Sequence, residues 1–114
     1  MPRALITVPK TARRGEVIEI RALVQHPMET GYRRSSEGDL LPRDLIRRFS
    51  CRFAESGKAN DTGTIVFAAT LHAAVSANPY LSFNLRAQSS GTLAFSWEGD
   101  NGFSQREQVA LIVV

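Results

Sequence analysis

The sequence predicts an all-β protein, an immunoglobulin-like β-sandwich of about seven antiparallel strands, and three observations predict it. Apolar and polar residues alternate with a period of two in most segments, which is typical of strands with one buried face. Turn-forming residues separate these segments at short intervals. No stretch of ten or more residues repeats its apolar positions with the period of a helix. Seven short strands within about 100 residues suit such a sandwich.

Four segments show the alternation most clearly, at residues 17–25, 46–53, 80–87 and 92–98. In each of them, apolar residues two positions apart share one face of the strand, and polar residues occupy the other face. The positions expected to face the core are Ile18, Ile20, Ala22 and Val24 in the first, Phe49, Cys51 and Phe53 in the second, Leu81, Phe83 and Leu85 in the third, and Leu93, Phe95 and Trp97 in the fourth.

Shorter or more apolar segments supply the other strands, at residues 4–8, 64–71 and 105–114. Turns are predicted between the strands, and the strongest signal is Gly-Asp-Asn-Gly at 99–102, because Asn-Gly tolerates the positive φ angles of hairpin turns. A helical turn is also considered within 40–48, after Pro42. The other predicted turns lie at 10–15, 60–63, 78–79 and 89–91.

Two of the predicted strands carry apolar residues on both faces. A two-layer sandwich buries one face of each sheet, so the outer positions should be polar. Apolar outer positions therefore need a cover, which is either the long loop at 26–45 or another polypeptide. The positions concerned are Ile65, Phe67, Ala69 and Leu71 against Val66 and Ala68, and Val109, Leu111 and Val113 against Ala110, Ile112 and Val114.

Length and composition indicate one soluble domain, expected to span residues 1–114. The chain has 114 residues, of which 43% are hydrophobic and 22% charged. Its longest strictly apolar run is six residues, Val109 to Val114, far shorter than the roughly 20 that a membrane helix needs. The first residues contain no apolar core of the length of a secretory signal. From these features, we expect a cytoplasmic protein or one carried elsewhere by another protein.

The net charge of +3 comes mainly from arginine, which makes up twelve of the fourteen basic residues. Such a cluster is compatible with a small basic nucleic-acid-binding β domain, which is the alternative function. However, Glu37, Asp39 and Asp44 are interspersed, and no series of aromatic residues accompanies the arginines as a stacking platform would require. Solvated or ion-paired arginines are therefore favoured. Six arginines lie within twenty positions: Arg33, Arg34, Arg43, Arg47, Arg48 and Arg52.

The residues that carry chemistry are few, and no set of them predicts an enzyme, a metal site or a cofactor. Cys51, the one cysteine, lies mid-strand between Phe49 and Phe53, which predicts a buried structural thiol rather than a nucleophile. His26 is a candidate general base near Glu29, but no second catalytic group accompanies it. A role in positioning the loop or in an interface is favoured. His72 is expected at the surface, at a strand end.

Several motifs, spread over nearly the whole chain, resemble the SoxZ family, the Z subunits of the bacterial sulfur-oxidation (Sox) carrier complex. The most specific pair is His-Pro-Met-Glu-Thr-Gly at 26–31, followed by Ala-Asn-Pro-Tyr at 77–80. The other matching segments are Pro-Lys-Thr-Ala-Arg-Arg-Gly-Glu-Val-Ile-Glu-Ile at 9–20, Pro42-Arg43 leading to Phe-Ser-Cys at 49–51, and Ser-Gly-Thr-Leu at 90–93 with Trp97 and Gly102.

The resemblance implies an immunoglobulin-like sandwich that pairs with a SoxY-type subunit as a heterodimer. That partner ends in a mobile Gly-Gly-Cys-Gly-Gly arm, whose cysteine holds sulfur intermediates during thiosulfate oxidation. This chain has no such arm and therefore resembles the non-catalytic scaffold half. The resemblance also implies a periplasmic location by co-export with the Y subunit, and transient docking to other Sox enzymes. In isolation, the apolar surface is expected to favour a homodimer. No nucleic-acid or membrane partner is expected.

The partner interface is predicted from the loop after the first long strand and from two turns. The arginines of the loop are expected to attract acidic surfaces or sulfur oxyanions. A polar insertion at 54–63 replaces a short turn of the family and leaves any contact by that turn open. The predicted interface comprises His26, Pro27, Met28, Glu29, Thr30, Gly31, Tyr32, Arg33 and Arg34, with Asn78, Pro79, Tyr80, Asp100, Asn101 and Gly102 as weaker candidates.

Overall fold

A computed structural model places eight strands and one short 3-10 turn in two packed sheets. It describes residues 4–26, 28, 31–32, 34–40, 43–57, 63–72 and 78–114. No helix in these ranges is long and apolar enough to cross a membrane. The strands are β1 (Ala4–Thr7), β2 (Thr11–Ala12), β3 (Val17–Val24), β4 (Ile46–Glu55), β5 (Thr64–Thr70), β6 (Tyr80–Arg86), β7 (Gly91–Gly99) and β8 (Ser104–Val113).

One sheet has three strands in the order β1-β3-β6, and the other has five in the order β2-β8-β7-β4-β5. All neighbours are antiparallel except β2 and β8. Aromatic rings fill the space between the sheets: Phe67 of β5 stacks on Phe83 of β6 with ring centroids 4.4 Å apart, and Phe49 of β4 lies 5.1 Å from Trp97. This two-sheet arrangement confirms the predicted immunoglobulin-like sandwich.

The core consists of the inward positions that the alternation predicts. Ile20, Phe49, Cys51 and Trp97 are all fully buried. Residues between them on the same strands face outward, because successive side chains of a strand point to opposite faces. Within the four segments with clear alternation, every predicted core position lies buried or packed against the core, with Phe53, Leu81 and Leu85 only partly covered.

The strand count differs from the prediction by one, because β2 lies within the predicted turn at 10–15. Thr11 and Ala12 pair in parallel with Ile112 and Val113 of β8. Ala12 is buried, and its carbonyl accepts a hydrogen bond from Val114 N–H at 2.9 Å. Two residues are too few to show a period, and the strand they pair with lies about 100 positions away. Local sequence therefore could not reveal this strand.

A bulge changes the faces predicted for β5. Cys51 pairs with Phe67, but Arg52 pairs with Ile65, so one residue of β5, Val66, is left between consecutive pairs. Ile65 consequently faces outward and is 44% exposed, whereas Val66 packs against the core. The prediction that Ile65 shares a face with Phe67 was wrong for this reason.

No helical turn is present in the described part of 40–48. Leu40 pairs with Arg34 in an isolated bridge, and β4 begins at Ile46. The backbone of Leu45 exchanges hydrogen bonds with Asp100: Leu45 N–H donates to Asp100 Oδ2 at 3.1 Å, and Asp100 N–H donates to the Leu45 carbonyl at 2.8 Å. These distant partners hold the chain extended, so the helical-turn prediction was wrong. Residues 58–62, which hold most of the predicted turn at 60–63 and half of the insertion at 54–63, lie outside the described residues.

The hairpin predicted at 99–102 is confirmed. It is a 3-10 turn over Asp100–Gly102 between β7 and β8. Asn101 and Gly102 adopt left-handed backbone angles, with φ of 59° and 74°. Asparagine and glycine are the residues that take this conformation at least cost, which is why the sequence signal was reliable.

Candidate partner interface

The three segments of the predicted interface meet at one end of the sandwich, which we call the loop end. It comprises the described residues of 26–34 after β3 (26, 28, 31–32 and 34), with 43–46 before β4, 78–80 at the start of β6, and 100–103 between β7 and β8. Because neighbouring strands are antiparallel, the end of one strand lies beside the start of the next, and all these segments are at the same end of the sandwich. The fold thus brings together residues as far apart in sequence as His26 and Phe103.

His26 joins two of these segments. Its backbone N–H donates to Asn78 Oδ1 at 2.9 Å, and Asn78 N–H donates to the His26 carbonyl at 2.7 Å. The ring is buried against Phe103, with centroids 4.8 Å apart. Nδ1 accepts the Met28 N–H at 3.0 Å, so Nε2 carries the hydrogen and faces Asp44 Oδ1 at 3.3 Å. With both ring nitrogens occupied, His26 organises the loop, as the favoured interpretation predicted.

Met28 turns the chain back towards the core. It is buried and adopts a left-handed backbone with φ of 54°, which is unusual for a residue with a side chain. Its sulfur accepts the Ile46 N–H at 3.3 Å, which ties the loop to the first residue of β4. Gly31 then passes Arg43 so closely that an added Cβ would lie 3.3 Å from the Arg43 Cβ.

Asp100 joins the hairpin to the start of β4. Its carboxylate accepts Arg47 Nε at 2.7 Å, lies 3.2 Å from Arg43 Nε, and accepts the Leu45 N–H. The hydrogen bond from Arg47 lowers the pKa of Asp100, partial burial opposes this, and Leu45 and Arg43 add to the lowering. Asn101 Nδ2 also donates to the Arg43 carbonyl at 3.2 Å. Two of the six clustered arginines are therefore ion-paired, as the favoured interpretation predicted.

Within the predicted interface, the residues that can meet a partner are the exposed ones. Tyr32 is 87% exposed and Tyr80 55% exposed. Arg34, Asn78, Asn101 and Gly102 are also exposed, whereas Pro79 is buried like His26 and Met28. The buried members shape the loop end, and their contact with a partner stays a prediction. Pro27, Glu29, Thr30 and Arg33 lie outside the described residues.

An apolar row on the outer face of the three-stranded sheet borders the loop end. Leu5 of β1 pairs with Leu23 of β3, and Leu23 pairs with Tyr80 of β6. All three side chains point away from the core; Leu5 is 63% exposed and Leu23 partly exposed. Sequence reasoning missed Leu5 and Leu23. The available signal was Leu23 itself, an apolar residue at a position where the alternation expects a polar one.

The apolar outer positions of β5 and β8 do not form one patch. Ile65 and Ile112 are 44% and 50% exposed, so the loop at 26–45 does not seal them. However, β7 and β4 lie between β8 and β5 in the sheet order and present polar residues outward. The remaining exposed outer positions are Ala68, Ala110 and Val114.

The Cys51 side chain is buried in the centre of the core and is not accessible from outside. Its exposed fraction is 0%, and burial raises the pKa of its thiol to about 12. A thiolate, which is the form that attacks sulfur compounds, is therefore absent at neutral pH. The prediction of a buried structural cysteine is confirmed. Within the described ranges, no three His, Cys, Asp or Glu side chains come together as metal ligands would.

The chain matches the family profile described as "Sulphur oxidation protein SoxZ" over residues 6–110. It belongs to the SoxZ family. This membership confirms the resemblance carried by the sequence motifs and gives the chain a role related to sulfur oxidation. A comparison with curated protein sequences finds no significant match.

Solved structures of related shape extend the comparison at the level of the fold. A superoxide reductase (neelaredoxin) from Ignicoccus hospitalis superposes with a TM-score of 0.77 at 18% identity, covering 97% of this chain and 80% of that one. The sulfur carrier protein SoxY from Chlorobium limicola f thiosulfatophilum gives 0.64 at 13%, covering 96% and 74%. A superoxide reductase from Nanoarchaeum equitans gives 0.66 at 15%, covering 95% and 90%. At these identities, the SoxZ-family chain shares a fold with all three.

Proposed function

We propose that this chain is the non-catalytic scaffold subunit of a sulfur-carrier heterodimer and binds a SoxY-type subunit. The observation that carries the proposal is the burial of its one cysteine, together with the raised thiol pKa. A member of a sulfur-oxidation family with no accessible thiol cannot hold sulfur covalently itself. The carrier cysteine then belongs to a second chain, which this subunit binds and positions.

The partner surface in this proposal is the loop end together with the apolar row Leu5, Leu23 and Tyr80. Tyr80 ends the row on β6, and tyrosine in an interface is a frequent source of binding free energy. Tyr32 and Arg34 extend the surface with an aromatic ring and a charge. Beneath them, His26, Met28 and Asp100 fix the backbone through hydrogen bonds to three other segments, so little ordering entropy is lost on binding.

Co-expression with a SoxY-type subunit, followed by size-exclusion chromatography, tests the pairing. We expect a stable one-to-one complex and at least about tenfold weaker binding for Tyr80→Asp, since losing a tyrosine that is an interface hot spot commonly costs about 2 kcal/mol. Asn84→Asp is the matched control: it lies on the same face of the same strand and is exposed. The proposal is contradicted if the wild-type chain and the SoxY-type subunit elute as two separate monomers. It is also contradicted if Tyr80→Asp and Asn84→Asp weaken binding equally.

The periplasmic location is part of the same proposal. The chain reaches the periplasm only together with a partner that bears a signal peptide. Cell fractionation after expression with and without such a partner tests this, and we expect the chain in the periplasmic fraction only when the partner is present. Periplasmic chain in the absence of the partner would contradict co-export.

A further inference from the structure

The outer face of the five-stranded sheet contains a recess that the proposed pairing does not use. Its volume is about 450 Å³, within the range of protein binding sites. The floor consists of small residues on the two central strands, Ser50 on β4 and Ala94 and Ser96 on β7. Longer side chains on β4, β5 and β8 rise around them. The recess therefore follows from the sequence, with small residues in the middle and large ones at the rim.

The rim is predominantly positive. Arg48 and Arg52 of β4 and Arg106 of β8 line it, and all three are exposed. Glu98 lies opposite Arg48 in the strand pairing, on the same outer face. Glu107 pairs with the core residue Phe95, so its carboxylate is on the other face of the sheet, where it accepts a hydrogen bond from Gln105. Three guanidinium groups against one carboxylate on this face leave a positive balance, greatest around Arg52 and Arg106.

The groups of the recess have few partners within the chain. Arg48 and Arg106 form no ion pair or hydrogen bond with a described residue, and Arg52 only reaches the Gly63 carbonyl at 3.5 Å. The Ser96 hydroxyl in the floor is buried and has no hydrogen-bond partner among the described residues. A buried polar group without a partner is uncommon.

The spacing of the charges indicates an extended ligand. Arg106 lies opposite Ser96, which lies opposite Ser50, while Arg52 is two residues beyond Ser50 along β4. With strands about 4.8 Å apart and a rise of about 3.3 Å per residue, the Arg106 and Arg52 Cα atoms are about 12 Å apart. The two guanidinium groups therefore stand on different sides of the floor, and carboxylates spaced along an extended peptide complement both of them. Ile65 adds an apolar contact beside Arg52.

We propose that this recess is a docking site for an extended acidic segment of a partner protein, with glutamate or aspartate carboxylates between Arg52 and Arg106. The proposal does not depend on the heterodimer, because it uses the opposite outer face from the row Leu5, Leu23 and Tyr80.

The test is a titration of the full chain, labelled with ¹⁵N, with a capped decapeptide of alternating glutamate and serine. We expect saturable amide shifts at Ser50, Ala94, Ser96 and Arg106, and binding that weakens as salt rises. Arg52→Glu and Arg106→Glu should each weaken binding about tenfold. Ala94→Gln, which fills the floor without changing the charge, should also weaken it. Arg21→Glu on the other sheet is the charge-matched control and should bind as the wild type does.

Three results would overturn the proposal. One is equal binding of the corresponding lysine-serine decapeptide. Another is equal weakening by Arg21→Glu, which would indicate attraction to net charge alone. The third is that sulfate, at matched ionic strength, produces the same amide shifts and binds as tightly as the acidic decapeptide does. The dispersion of the amide spectrum confirms that each variant is folded.

Discussion

At the scale of single residues, three side chains of ordinary type owe their roles to their surroundings. His26 has both ring nitrogens engaged, Asp100 gathers two arginines and a backbone N–H, and Cys51 is sealed between the sheets. Sequence predicted the burial of Cys51, because its neighbours on the strand alternate. Apart from the Met28 N–H, it could not predict the partners of His26 and Asp100, because Asp44, Asn78, Arg43, Leu45 and Arg47 are all distant from them in sequence.

Cys51 is expected to resist alkylation in the folded chain. Burial keeps the thiol from the reagent and raises its pKa to about 12, so hardly any thiolate exists at pH 8. Intact mass after treatment with iodoacetamide should show no adduct on the folded chain and one adduct in guanidinium chloride. Modification of the folded chain at the rate of the denatured chain would show that the thiol is accessible, and would also weaken the case for a separate carrier subunit.

Asp100 is expected to stabilise the fold at neutral pH but not in acid. Its folded-state pKa is lowered, chiefly by Arg47, so the stabilisation is present above the unfolded-state pKa of about 3.9 and is lost as pH falls through the folded value. In urea unfolding, Asp100→Asn should therefore be less stable than the wild type at pH 7, and the difference should shrink below about pH 4. Asp39→Asn, at an exposed loop position, is the control. A difference that is constant with pH would exclude this ionic contribution.

At the scale of elements, alternation located the strands, and exceptions to it arose where distant chain segments intervene. The bulge in β5 shifts the faces of Ile65 and Val66, and the two residues of β2 form a strand only because β8 lies beside them. Long strands with clear alternation were predictable because the polarity of each side chain indicates which face of the strand it occupies. A bulge changes the register without a consistent sequence signal, so the outer faces were less predictable.

Because of the bulge, we expect substitutions at Val66 and Ile65 to affect stability in the opposite order from the one that unbroken alternation predicts. Val66→Asp should destabilise the protein by about 2–4 kcal/mol, because it places a charge against Phe53, Leu85 and Leu111. Ile65→Asp, its neighbour on the exposed face, should cost less than about 1 kcal/mol. Thermal or urea unfolding of the two variants measures both values. The reverse order would mean that β5 keeps an unbroken alternation.

At the scale of the whole molecule, the two outer faces differ in chemistry. The three-stranded sheet presents the apolar row beside the loop end, and the five-stranded sheet presents the arginine-rimmed recess. In the sequence, Arg48 and Arg52 of the recess were noticed only as part of a charge cluster, and Arg106 was not singled out. The strand order was needed to separate the arginines that pair with Asp100 from those on the sheet face, which form no ion pair with a described residue.

In isolation, the chain is expected to self-associate weakly through the apolar row. Exposed apolar rows commonly pair with a second copy when their partner is missing. Analytical ultracentrifugation should show a mass that rises from monomer towards dimer with concentration, and Tyr80→Asp should raise the dissociation constant about tenfold. Asn84→Asp should leave it unchanged. A monomer at all concentrations, or equal effects of the two variants, would place the contact elsewhere.

The sequence by itself determined the fold class, the long strands, the buried cysteine and the family, because each is recorded in local alternation or in contiguous motifs. Only the tertiary structure decided which segments meet at the loop end, that Leu5, Leu23 and Tyr80 form one row, and that small residues on β4 and β7 form the floor of a recess. The physical reason is that strand pairing joins residues far apart in the chain. Register and bulges, which set what each face presents, follow from the packing of the whole sandwich.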